Sequence, residues 1–152
     1  MAHKPLGRYF EEFDVGEEFT SLSRTITEAD ITNFCGVSAD FNPLHTDIEF
    51  AKKTPFGQRI AHGLLGLAFV SGGIARLGLI EGTTFAFLEI CSWKYLAPNF
   101  IGDTVTVKVK VVSKKETKKV DRGIVVFDID LINQRSEITQ SGQWAIMMLR
   151  KQ

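Results

Sequence analysis

Gly63-Leu64-Leu65-Gly66-Leu67-Ala68-Phe69-Val70-Ser71-Gly72-Gly73-Ile74-Ala75-Arg76-Leu77 is the stretch on which the fold turns. Its apolar residues occupy every face of a 3.6-residue helix, and such a helix is stable only when other structure wraps it. The wider run from Ile60 to Ile80 also holds His62, Ser71, Arg76 and several glycines, a composition that suits a helix buried in protein better than one facing lipid. The residues that follow must therefore supply the wrapping.

They do so as strands. Val105, Val107, Val109 and Val111 alternate with Thr104, Thr106, Lys108 and Lys110, the period-two pattern of a sheet with one wet face. Val125, Phe127, Ile129 and Leu131 repeat it against Asp128 and Asp130. Thr83–Leu96 and Gln140–Arg150 predict two more long strands, with Pro98 and Gly102-Asp103 turning the chain after the first. The Lys-rich segment Ser113–Gly123 predicts a solvated hairpin turn, and Glu17–Thr25 an N-terminal strand. Helical signals fall in the first half: Thr27 caps a helix that opens on Glu28-Ala29-Asp30 and ends near Gly36, and a second short helix begins at Asp47. Helices first and strands afterwards indicate an α+β domain, a curved antiparallel sheet of about five strands around the long apolar helix.

Composition narrows the function. The 152 residues carry 18 Lys+Arg against 18 Asp+Glu, and 44% are hydrophobic. That balance excludes a basic nucleic-acid surface and an acidic disordered chain. No linker or repeat divides the sequence, so residues 1–152 are read as a single domain, long enough to bury roughly 70% of its unfolded surface without metal or disulfide. Cys35 and Cys91 form no CxxC and are expected as two free buried thiols. The first ten residues lack the apolar core of a signal peptide, which predicts a cytoplasmic protein with no membrane partner.

The densest chemistry lies in Ser38-Ala39-Asp40-Phe41-Asn42-Pro43-Leu44-His45-Thr46-Asp47. Pro43 keeps Asn42 out of helical geometry and Asn42 can bond the local backbone, so this loop is expected to be rigid. A rigid loop can hold Asp40 and His45 on either side of one water, as hydration or dehydration requires. Residue types alone leave a structural reading open, in which Asp40 anchors a turn and His45 sits satisfied at the core edge. A metal set drawn from Asp40, His45, Asp47 and His62 is disfavoured, because no pair of them shares a chelating spacing on one helix or strand. Downstream, Gly63 opens the apolar helix, where unpaired N–H groups and the helix dipole suit a carbonyl or oxyanion. Close packing explains Gly63 as well, His62 reads as a core or dimer-contact histidine, and Ser71 as a hydroxyl bonded back to its own helix.

Taken together, Asp40-Phe41-Asn42-Pro43-Leu44-His45-Thr46-Asp47 with Ile60-Ala61-His62-Gly63 and a small-residue helix resembles the MaoC-like dehydratases and (R)-specific enoyl-CoA hydratases of the hot-dog fold. The resemblance covers essentially the whole chain. It implies Asp40 and His45 as the catalytic pair, Gly63 as oxyanion-hole donor, and Ser71 and Asn42 as substrate-binding residues. It also implies a coenzyme A or acyl-carrier-protein thioester as substrate, no separate cofactor or metal, and a homodimer whose sheets join edge to edge. A non-catalytic acyl-CoA-binding subunit and a hot-dog thioesterase are the alternatives. Lys94 and the Lys114–Lys119 segment are the candidate contacts for the coenzyme A phosphates.

Overall fold

The two alternating runs form the middle of a six-stranded antiparallel sheet. The computed structural model describes residues 6–151, so half of the N-terminal stretch behind the localisation reading lies outside it. β1 (Glu18–Thr20) and β2 (Arg24–Thr25) both pair with β4 (Thr104–Glu116). β5 (Arg122–Asn133), β6 (Ile138–Leu149) and β3 (Thr84–Tyr95) follow in that order to the far edge. Six strands replace the expected five because the N-terminal strand breaks at Ser21. There the Ser21 N–H donates to the Val107 carbonyl at 2.9 Å, while the Ser21 hydroxyl accepts the Val107 N–H at 3.0 Å in place of a main-chain partner.

The expected turn over Ser113–Gly123 is mostly strand, and only residues 117–121 turn. An irregularity between Val111 and Ser113 interrupts the alternation, so period two cannot be followed past it in the sequence. Lys108 stands opposite Asp130 and Lys110 opposite Asp128 across β4 and β5, so opposite charges face one another on the wet face.

α1 (Glu28–Ser38) begins with a capping box: the Thr27 N–H donates to the Asp30 carboxylate at 2.8 Å and the Asp30 N–H to the Thr27 hydroxyl at 3.4 Å. It runs two residues past Gly36 and stops where Ala39 takes a left-handed conformation, φ 59°. α2 (Pro43–Thr46) is a single turn, too short to show a helical period in the sequence, and α3 (Ile48–Ala51) follows it, capped by Asp47. α4 (Gly63–Arg76) is the apolar helix.

Leu65, Phe69, Val70 and Ile74 of α4 are buried in one cluster with the inward residues of β4 and β5, from Val105 to Val111 and from Val125 to Leu131. Wrapping is incomplete, however. Leu64 is 60% exposed, and Ala68, Ser71 and Gly72 are exposed with it, so one face of α4 has no cover among the described residues. Both cysteines are free, but only Cys35 is buried; Cys91 lies exposed on edge strand β3. No helix among the described residues is long and apolar enough to cross a membrane.

Candidate active site

The left-handed Ala39 turns the chain out of α1 and delivers Asp40 to a loop whose polar groups bond one another. The Asp40 N–H donates to the Ser38 hydroxyl at 3.1 Å, and the Asp40 carboxylate accepts the Asn42 N–H at 3.2 Å. The Asn42 side-chain oxygen accepts the Leu44 N–H at 3.0 Å, which makes Asn42 the cap of α2 with Pro43 in its first position. Asn42 thus shapes the loop, and its amide nitrogen is left to offer a ligand. Asp47 is likewise spent on capping α3, its carboxylate accepting the Phe50 N–H at 3.0 Å.

α2 carries His45 inward, where the imidazole is 8% exposed. Its Nδ1–H donates to the Ile60 carbonyl at 2.8 Å, so Nε2 holds the free lone pair. Burial is the main cause that lowers its pKa; the charge of His62 acts in the same direction, against the Ile60 hydrogen bond and the Asp40 charge. Arg59 fastens this turn to α1. It makes two bonds to the Glu28 carboxylate at 2.8 and 2.6 Å, and a third to the His45 carbonyl at 3.4 Å.

His62, read from the sequence as a core or dimer-contact histidine, joins the pair. One polar side-chain atom from each of Asp40, His45 and His62 lies within 4.8 Å of the other two. The His45 and His62 rings stack with centroids 3.8 Å apart and 30° between planes. His62 Nε2 bonds the Asp40 backbone oxygen at 2.9 Å, and two imidazoles with one carboxylate are also a donor set of the kind that can hold a metal ion. The arrangement suits proton transfer.

Gly63 starts the 14-residue α4, and its N–H has no partner among the described residues. A Cβ there would lie 2.8 Å from the Tyr95 ring, so any larger residue would have to push that ring aside. The Gly63 carbonyl accepts from Gln140 Nε2 at 3.1 Å, and Gln140 Oε1 accepts from Trp93 at 3.1 Å, so β6 and β3 hold the first turn of α4 in place. Tyr95, Gln140 and Trp93 were not legible as site residues, since strand periodicity says which face a residue takes and nothing of what it reaches. A cavity of about 300 Å³ adjoins Gly63, lined by Phe56, Ile60, Tyr95, Pro98, Asn99 and Gln140 among others.

Ser71 is not in this cluster. It lies two turns further along α4, its hydroxyl makes no hydrogen bond to the helix backbone, and it lines a second, apolar cavity of about 430 Å³ with Ile74, Phe87, Trp144 and Ile146. The lysine candidates have other neighbours: Lys114 donates to the Phe13 carbonyl at 2.7 Å, and Lys94 shares its groove with Asp128 and Asp130.

The MaoC-like domain family matches residues 12–129. The chain belongs to the MaoC-like dehydratases. An (R)-specific enoyl-CoA hydratase from Rhodospirillum rubrum is 42% identical over 111 residues, 73% of this chain and 74% of its own. Among solved structures, a monoamine oxidase regulatory protein from Archaeoglobus superposes with a TM-score of 0.88 at 37% identity, covering 96% of this chain and 97% of its own. The R-hydratase PhaJ1 from Pseudomonas aeruginosa superposes with a TM-score of 0.77 at 30% identity, covering 94% and 86%. The sheet curved about α4 is the hot-dog fold, and this MaoC-like dehydratase is a hydro-lyase.

Proposed function

We propose that this MaoC-like dehydratase adds water reversibly across a trans-2-enoyl thioester of coenzyme A, giving the (R)-3-hydroxyacyl thioester. The observation that carries the reading is His45 Nδ1–H held by the Ile60 carbonyl at 2.8 Å, which leaves the free lone pair on Nε2 of a ring that has a nitrogen within 4.8 Å of the Asp40 carboxylate. One water bridges the two groups. The thioester oxygen accepts the free Gly63 N–H, whose position at the start of α4 stabilises enolate charge and makes Cβ electrophilic. His45 Nε2 takes one water proton as the hydroxyl bonds to Cβ. Asp40 stabilises the imidazolium, which then returns the proton to Cα on the same face. Water is the only other reactant, both groups end as they began, and no cofactor or metal is called for.

The apolar cavity beside Ser71 accommodates the acyl group, with the Ser71 hydroxyl as its polar contact. A second copy of the chain covers the open face of α4 and the edge of β3, giving a homodimer. Two free thiols accord with a reducing cytoplasm.

The test follows crotonyl-CoA by loss of the conjugated thioester absorbance, with chiral analysis of the product. Turnover to the (R)-alcohol supports the reading. Inertness toward every enoyl chain length, or release of free coenzyme A without hydration, as a thioesterase would give, sinks it. Asp40→Asn should remain folded and lose roughly 10²–10⁴ in kcat, the usual contribution of a positioned acid–base group. The same assay with an acyl-carrier-protein thioester decides which carrier is used.

A further inference from the structure

We propose that His62 is a positioning residue that locks Asp40, His45 and the Gly63 N–H into one rigid unit, so that turnover needs it although it touches no reacting atom. The inference rests on the hydratase reading above. His62 is joined to all three groups by different bonds: its Nε2 lies 2.9 Å from the Asp40 backbone oxygen, its ring stacks on His45 at 3.8 Å, and its own peptide bond carries the Gly63 N–H.

The hydrogen on the ring is fixed by the partner. A carbonyl oxygen offers only lone pairs, so Nε2 must carry the N–H that it receives. Nδ1 is then the atom left over, and it is buried with no hydrogen-bond partner among the described residues, in a residue 2% exposed. Leaving a buried polar atom unpaired lowers stability, and a phenylalanine or leucine filling the same space would avoid that loss. Packing alone therefore does not account for an imidazole here.

The surroundings hold the ring still. Phe34 lies against it with centroids 4.9 Å apart, and the Cys35 sulfur is 3.7 Å from Nε2, both from α1. Asp40 needs such an anchor. Its carboxylate is exposed and its side-chain bond reaches only two residues along its own loop, so the His62 bond is what ties this loop to the start of α4. Two properties are needed in one side chain, a flat ring against His45 and a donor toward Asp40, and substitutions can separate them.

The experiment compares wild type, His62→Phe and His62→Gln at matched folded fraction, with steady-state kinetics on an enoyl-CoA. Phe retains the stack and removes the donor, and Gln retains a donor and removes the stack. His62→Phe should lose on the order of 100-fold in kcat, the scale set by a displacement of about 1 Å between reacting groups, with KM changed less than about threefold. His62→Gln should regain at least about tenfold of that loss. A His62→Phe enzyme with wild-type kcat, a loss confined to KM, or a His62→Gln enzyme no better than His62→Phe overturns the proposal. Nitrogen NMR of the wild-type ring needs neither a folded variant nor turnover. Nε2 must be the protonated nitrogen, and finding the hydrogen on Nδ1 refutes the arrangement. Should wild type fail to hydrate any enoyl thioester while its ring shows the Nε2 hydrogen, the hydratase reading falls and the His62–Asp40 link stands.

Discussion

At the scale of the residue, the behaviour of His45 follows from where its ring is held. Burial lowers its pKa below the ordinary 6.5, so the imidazole stays unprotonated, and able to accept from water, into mildly acidic solution. On the proposed mechanism the unprotonated form is the active one in the hydration direction. The acid limb of kcat/KM for enoyl-CoA should therefore fall below pH 6.5, where a solvent-exposed histidine would already be half protonated. A pH profile with an acid limb above 6.5 would show that His45 is not the base or is not buried in the working enzyme. Stability carries the same sign: the unfolded chain takes up the proton first, so the folded state loses stability as pH falls through the unfolded value toward the lower folded one. The Asp40 and His45 pair was legible in the sequence because both sit in one short polar run. His62 was not, since its partners lie 17 and 22 positions away and only the packing of α4 on α1 brings them together.

At the scale of the element, the glycines of the helices separate two effects that sequence cannot distinguish. Glycine in a helix ordinarily costs about 1 kcal/mol against alanine, and Gly36 in α1, where an added methyl group would meet nothing within 4 Å, should behave that way. Gly36→Ala is expected to raise stability by roughly 0.5–1 kcal/mol. Gly66 in α4 has the opposite sign. A Cβ there would lie 2.1 Å from Gln140 Nε2, the atom that holds the Gly63 carbonyl, so Gly66→Ala must displace Gln140 from a fully buried position. It should lose about 1–3 kcal/mol, as overpacked cores do, and should lower kcat as well, while Gly36→Ala leaves kcat unchanged. Denaturant melts and kinetics on the two variants check both signs. β4 and β5 were legible because alternation runs through seven residues of each, from Val105 to Val111 and from Val125 to Leu131. α2 was not, because four residues are too few to show a period, although Asn42 followed by Pro43 is a complete start signal.

At the scale of the whole molecule, two features that look unrelated in the sequence meet on one side. The first is the face of α4 with Leu64, Ala68 and Ser71, which the sheet does not cover. The second is β3, a 12-residue edge strand on which Phe85, Phe87, Leu88 and Ile90 are each 42–49% exposed. A long apolar edge is a hazard in a monomer, and proteins usually blunt it with charge, proline or a bulge. β3 has register irregularities but contains no proline, and Glu89 and Lys94 are its only charged residues. Pairing β3 with the same strand of a second copy would satisfy its free backbone groups and place apolar side chains against one another, an isologous contact closed by a two-fold axis. The site has a stake in this, since Phe87 and Ile90 line the cavity that Ser71 opens into. The wild-type protein should run at twice the chain mass in light scattering, with no monomer at micromolar concentration. Leu88→Lys places a charge at the middle of that edge and should shift the equilibrium to monomer. The variant should then lose activity at enzyme concentrations where wild type is still dimeric, and recover part of it as concentration rises. Full activity in a monomeric Leu88→Lys protein would mean that one chain builds the whole acyl site. A wild type that is itself monomeric would mean that the apolar edge is covered by something other than its own copy.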